Sequence, residues 1–163
     1  MILPKDELLR RKAVSNYINE SQFQPAGVDL SVREVHHLVS EGSIDFDNSE
    51  RKLSDTRKIE WPVDGWLLLK KGAYKIVYNE VVSIPKDCIA LAYPRSSLLR
   101  CGAYLQCAVW DPGYEGRSES LLMVGNENGL RLKKDAKVVQ LVFFKLEKEA
   151  KEGYKGRYHK ENV

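Results

Sequence analysis

The sequence predicts an all-β domain, a sandwich or barrel with one short N-terminal helix. Three observations carry that prediction. After Pro25, short runs rich in β-branched and aromatic residues recur along the chain, the composition that suits a pleated, half-buried surface. Gly, Pro, Asn and Asp separate these runs, as tight turns require. No strand–helix–strand alternation appears, which argues against a parallel nucleotide-binding sheet.

The elements follow in order. "PKDELLRRKAVSNYI" sets Pro4 before acidic residues, with Leu8, Leu9 and Val14 near helical spacing, and predicts the helix. "VDLSVREVHHLV" reads as the first long strand. "SEGSIDFDNSERKLSDTRKIEWPVDG" is polar and reads as a long excursion with little regular structure. Strand patterns resume in "GWLLLKKGAYKIVYNEVVSIP", "CIALAY", "AYLQCAVW", "SESLLMVGN", "GLRL" and "KVVQLVFFKLE". From Lys148 the chain is too polar to be core. This tail, 148–163, reads either as disordered or as a flap over an anion, since it holds two tyrosines around a glycine and basic residues.

Composition narrows the function. The 163 residues suffice for a single domain with its own core, and 43% hydrophobic with 30% charged residues is the balance of a soluble globular protein. Apolar runs such as "VVQLVFF" are too short to cross a bilayer, and "MILPKDELLRRK" places charges where a signal peptide needs apolar residues. A cytoplasmic protein with no membrane partner is expected. The net charge of +3 is too weak for wrapping nucleic acid, but it suits a small anionic ligand where cations converge. Cys88, Cys101 and Cys107 lack CxxC spacing and read as reduced thiols. His36, His37 and His159 form no zinc ligand pattern.

Two short stretches carry chemistry. "VWDPGYEG" is a tight turn in which Pro112 fixes φ and Gly113 accepts a positive φ, so Asp111 and Tyr114 lie within ~7 Å of each other. Asp111 either shapes the bend or handles a proton there. "PRSSLLR" offers the planar donor fork of Arg95 and the hydroxyls of Ser96 and Ser97 where a strand turns into a helix, a set that suits phosphate oxygens. A serine cap beside a surface arginine would give the same letters. Gln140, alone among apolar neighbours in "VVQLVF", needs hydrogen-bond partners wherever it is buried.

In their order and spacing these stretches resemble the dUTPase and dCTP deaminase superfamily. "PAGVDLSV" looks like its first motif, "PRSSLLRCG" its second, "VWDPGYEG" with the later Asn126 its third, and "KVVQLVFFKLE" its fourth. "GAYKIVYNEVVSIPKDCIA" before the second motif is also typical of the superfamily, and the closing "GYKGRYHKE" resembles its deaminase-like branch. The likeness spans about residues 25–160, by the test of motifs in context. It implies a distorted jelly-roll β-barrel, forming a homotrimer with its sites between subunits.

The resemblance also implies roles. Asp111 would orient and deprotonate the attacking water, and Tyr114 would pack under the deoxyribose and exclude a 2′-hydroxyl. Arg95, Ser96, Ser97 and Gln140 would hold the phosphate chain. Arg157 would neutralise γ-phosphate charge and Tyr158 would cover the base. Asp29 would support the site from behind, Arg100 matches an arginine of the deaminase-like branch, and Gln106 lies near the place where many dUTPases carry a base-reading asparagine. Mg²⁺ would be held mainly by triphosphate oxygens and water, with no dedicated protein ligands.

The superfamily performs two reactions. Its deaminases place a glutamate ten residues beyond the third-motif Asp, where this chain has Leu121. Glu119 lies two residues earlier, on the same strand face, and a bulge would bring it into place. The plain reading is a dUTP diphosphatase that attacks the α-phosphorus, releases dUMP and pyrophosphate, limits uracil incorporation into DNA and supplies dUMP. The alternatives are a dCTP deaminase, a bifunctional deaminase–diphosphatase, or a non-catalytic nucleotide-binding regulator.

Overall fold

Leu8, fully buried, is what seats the first helix. In the computed structural model, which describes residues 1–163, α1 (Lys5–Arg10) presses this side chain onto the barrel, and Arg11 ties the helix end to Asp87 at 2.7 Å. The helix is shorter than the sequence pattern suggests. Lys12 takes a φ of 52°, and Val14 leaves the helical path to pair with Val82.

Thirteen strands follow in chain order. The first eight are β1 (Val14–Ser15), β2 (Phe23–Gln24), β3 (Gly27–Leu38), β4 (Thr56–Lys58), β5 (Trp66–Leu69), β6 (Gly72–Tyr78), β7 (Val81–Ser83) and β8 (Cys88–Pro94). A five-residue helix, α2 (Ser96–Arg100), precedes β9 (Ala103–Gln106), β10 (Glu115–Gly116), β11 (Glu119–Val124), β12 (Leu130–Lys133) and β13 (Lys137–Lys145). The main sheet runs β8-β13-β3-β6-β11-β9, with β2 and β4 also paired to β3. A β1-β7-β10 sheet and a β12-β5 ribbon complete a distorted jelly-roll barrel.

Burial explains the pairing. The first six residues of β3 are buried, because β13 and β6 flank them and the core covers them. The approach to β13 is close at Gly27, where a Cβ would sit 2.5 Å from the Leu141 carbonyl oxygen. In β11 the burial alternates strictly, with Ser120, Leu122 and Val124 inward and Glu119, Leu121 and Met123 on the other face. Tyr78, Phe143, Leu30, Ile76 and Leu141 fill the centre. The polar excursion after β3 carries more order than its composition suggests, since β4 pairs with the end of β3 and Ser43 bridges to Lys52. No helix is long and apolar enough to cross a membrane.

Candidate active site

The Asp111–Tyr114 turn is closed by the Tyr114 amide, which donates to the Asp111 carbonyl at 3.1 Å. Gly113 has a φ of 79°, a conformation that costs glycine nothing sterically. Its amide donates to the Ile84 carbonyl at 2.9 Å, and the Ile84 amide donates to the Tyr114 carbonyl at 2.8 Å. The turn is thereby stitched to the segment after β7. It presents Asp111, exposed, at the wall of a cavity of about 250 Å³, just below the ~300–1,000 Å³ usual for ligand pockets. Trp110, Tyr114, Tyr154 and Tyr158 give the cavity aromatic walls. Its charged side chains, Asp111, Glu119 and Glu161, are all acidic. Such a chamber suits the flat, neutral end of a ligand and repels a polyanionic one.

Three of the walls come from the tail. The Tyr154 amide donates to the Pro112 carbonyl at 2.7 Å, the Lys160 amide to the Glu115 carbonyl at 2.6 Å, and the Arg117 amide to the Glu161 carbonyl at 3.0 Å. Gly113 makes room for this, because a Cβ there would lie 2.8 Å from Gly153 Cα. The Tyr114 hydroxyl donates to Glu161 Oε1 at 2.8 Å. Burial, and then the Glu161 charge, push the Tyr114 phenol well above its usual value. Burial, helped by the neighbouring Glu119, likewise raises the Glu161 carboxyl. Glu119 is itself held by Lys75 at 2.9 Å.

A second cluster gathers where β3, β13 and the end of β8 meet. Asp29, 2% exposed, takes Arg95 Nε at 3.3 Å and Lys137 Nζ at 3.4 Å on one carboxylate oxygen. Gln24 donates to the same oxygen at 3.1 Å. Gln140 stands opposite Asp29 in the β13–β3 register, half-buried. Two cations on one anion leave an excess positive charge. Ser96 and Ser97 are exposed in the first turn of α2, directly after Arg95, and Arg100 donates to the Ser96 carbonyl at 3.0 Å.

The sequence-derived residues thus fall into two groups. Asp111, Tyr114 and Tyr158 share the acidic cavity. Asp29 and Arg95 are ion-paired, with Gln140 across the register and Ser96 and Ser97 adjoining. No hydrogen bond or ion pair joins the groups within one chain. Arg157 is exposed and forms no wall of the cavity, and Gln106 is exposed at the end of β9, opposite Leu121. Sequence reasoning missed Lys137, Glu161, Trp110 and Ser118. For Lys137 a signal existed, since it opens the strand that carries Gln140. No three His, Cys, Asp or Glu side chains converge as a metal-binding cluster.

Comparisons agree with this architecture. A family model for dCTP deaminase-like domains matches residues 2–146. The chain is 50% identical over 151 residues to a probable deoxyuridine 5'-triphosphate nucleotidohydrolase of Methanococcoides burtonii, covering 92% of this chain and 89% of that one. It is 52% identical over 144 residues to the protein of the same name in Methanosarcina acetivorans, covering 88% and 84%. Among solved structures, the 2'-deoxycytidine 5'-triphosphate deaminase of Agrobacterium tumefaciens matches 87% of this chain with a TM-score of 0.66 at 18% identity, a likeness of fold. The chain spans about half of that structure's length, 48%.

Proposed function

The chain belongs to the dCTP deaminase-like family, and from that membership, with close relatives named as deoxyuridine triphosphate nucleotidohydrolases, we propose that it is an enzyme hydrolysing dUTP to dUMP and pyrophosphate. The observation that carries the reading at the level of residues is Asp111, held on a rigid turn at the wall of an aromatic chamber. The nucleoside enters this chamber, with the deoxyribose against Tyr114. Asp111 takes a proton from a water whose oxygen attacks the α-phosphorus as pyrophosphate leaves, a general-base role. The triphosphate extends away from the acidic walls to the cations around Asp29, where Arg95 supplies a bidentate fork, Lys137 a point charge and Ser96 and Ser97 further donors. Most of the rate acceleration is positioning and charge neutralisation.

A divalent cation, Mg²⁺ in this reading, adds charge neutralisation when bound. In this reading the ion is carried in by the substrate and held mainly by triphosphate oxygens and water. The two groups meet when copies associate, so that the acidic chamber of one faces the Asp29 cluster of another, and we assign the assembly as a homotrimer. A second reading, deamination of dCTP, rests on Glu119 in the chamber wall. Against it, Leu121 occupies the position ten residues past Asp111, and the Glu119 carboxylate is committed to Lys75.

The test is to incubate the protein with dUTP, dCTP, dTTP and UTP plus Mg²⁺ and follow pyrophosphate and ammonia. Pyrophosphate from dUTP alone is expected; ammonia from dCTP would move the assignment to the second reading. Asp111→Asn should lower turnover by about 10²–10⁴-fold while dUTP still binds. A variant retaining near-full rate would remove Asp111 from the chemistry.

A further inference from the structure

Cations also converge away from the residues assigned to dUTP. A cavity of about 460 Å³ opens beside the connection between β6 and β7, within the ~300–1,000 Å³ usual for ligand pockets. Arg33 and Lys134 line it with Asn79, Trp61 and the carboxylates Glu34 and Asp135. None of these residues belongs to the acidic chamber or to the cluster around Asp29. Both carboxylates are engaged. Glu34 holds Lys58 and His36, each at 3.0 Å, and Asp135 accepts from the Asn79 side-chain amide at 2.9 Å. Arg33 reaches Glu34 only at 3.8 Å, beyond hydrogen-bonding distance, and Lys134 forms no ion pair. Arg117, just after β10, stands behind the wall, its guanidinium donating to the Asn79 carbonyl. Burial, and then the Arg33 charge, hold that guanidinium below its usual value; the carboxylate that opposes this, Glu80, is itself taken up by Ser31 and Gln22. Two arginines thus crowd one cleft, and no carboxylate of the chain bridges them. The backbone fixes the arrangement. The β3–β6 register shifts between Val32 and Glu34, and the extra residue is Arg33. Such bulges re-aim side chains and are over-represented beside functional sites. The Trp61 indole N–H donates to the Arg33 carbonyl at 2.9 Å, the Asn79 backbone amide to the Ser31 carbonyl at 2.9 Å, and the Lys134 amide to the Gly65 carbonyl at 2.8 Å.

We propose that this cleft is a second anion site, where Arg33 and Lys134 hold a phosphate group and Arg117 adds charge from behind Asn79. The site goes beyond the dUTP reading and does not depend on it. Arg33 presents a planar fork of N–H donors to two phosphate oxygens, and Lys134 supplies a compact point charge. A phosphate placed there turns the repulsion between the two arginines into attraction for a shared partner. Three cations favour its double charge over the single charge of a carboxylate. The volume of the cleft admits either inorganic phosphate or the phosphate of a mononucleotide, with Trp61 as a flat wall for the remainder.

The test is equilibrium dialysis with radioactive inorganic phosphate at ~0.15 M salt, where exposed charges are screened. An Arg95→Ala protein serves as the background, because it weakens the cations assigned to the triphosphate. That protein should still bind phosphate, and adding Arg33→Gln or Lys134→Gln should lower the affinity about tenfold, the weight of one charge-assisted hydrogen bond. Both added residues are exposed, so the fold is expected to survive. Thermal unfolding checks this: Arg33→Gln alone should unfold at the wild-type temperature without phosphate and show a smaller stabilising shift with it. Displacement of the bound phosphate by dUMP in the Arg95→Ala background would identify a nucleotide phosphate as the ligand, and no displacement would identify the inorganic ion; either result upholds the site. Three results would overturn it: no phosphate bound once Arg95 is removed, binding unchanged by both added substitutions, or earlier unfolding of Arg33→Gln with unchanged phosphate affinity, which marks a structural role. Failure to release pyrophosphate from dUTP would sink the hydrolase reading and leave this site untouched, since its readout is phosphate binding.

Discussion

Asp29 and Glu80 are both buried carboxylates, and their partners give them different duties. Asp29 holds Arg95, Lys137 and Gln24, so its contacts organise cations that face outward. Glu80 is fully buried among neutral donors, accepting from Ser31 N at 2.9 Å, Ser31 Oγ at 2.6 Å and Gln22 Nε2 at 2.6 Å. Burial raises its carboxyl above the usual value. Its duty is to lock the connection between β6 and β7 onto β3. Glu80→Ala leaves those donors unmet and should destabilise the fold by about 2–4 kcal/mol, measured by urea unfolding, with little change in KM if the protein remains folded at the assay temperature. At this scale the sequence was uneven in what it disclosed. Asp111 was legible because Pro112 and Gly113 restrict the backbone to one bend, whatever the rest of the chain does. Lys137 was not, because a lysine heading a strand ordinarily marks a solvated end, and only the β13–β3 register brings it to Asp29.

Strands with clear apolar patterning, β3, β6, β11 and β13, could be read directly, since side-chain alternation or continuous burial leaves its mark on residue type. The two-residue strands β1 and β10 carry no such period and exist only as partners of β7. The tail was hardest to read. Its composition is that of a solvated segment, yet backbone amides and carbonyls dock it, and these are the same for every sequence. One pH prediction belongs here. Glu161 faces Tyr114, Glu119 and, beyond it, Lys75, and docking raises its carboxyl. A raised carboxyl favours the protonated form in the docked state. Docking is therefore strongest below the ordinary glutamate value of ~4.3 and weakens as pH rises through the raised one. Protease cleavage at Lys151 and Lys155, over a range where the barrel stays folded, should increase across that window. Glu161→Gln, which still accepts from Tyr114 but carries no charge, should flatten the dependence; a profile as steep as wild type would assign the titration elsewhere.

Over the molecule as a whole, the fold sends its acidic chamber and its cationic cluster to places that no hydrogen bond or ion pair connects. If association joins them, inactive variants should complement each other. Asp111→Asn and Arg95→Ala, each nearly inactive alone, should recover a sizeable fraction of wild-type turnover when unfolded together and refolded as mixed assemblies, measured by pyrophosphate release. No recovery in verified mixed assemblies would place the whole site within one copy. A sandwich or barrel was legible from strand spacing and turn residues, whereas the jelly-roll and a site between subunits came only with the family resemblance, because they depend on how whole sheets and surfaces face one another. The separation of chamber and cluster carries a consequence for the life of the chain. If association is what joins the two groups, a newly made, solitary copy would have the tools of a nucleotide hydrolase but could not close them on a target, so the onset of activity would be governed by abundance, and dilution alone would silence it.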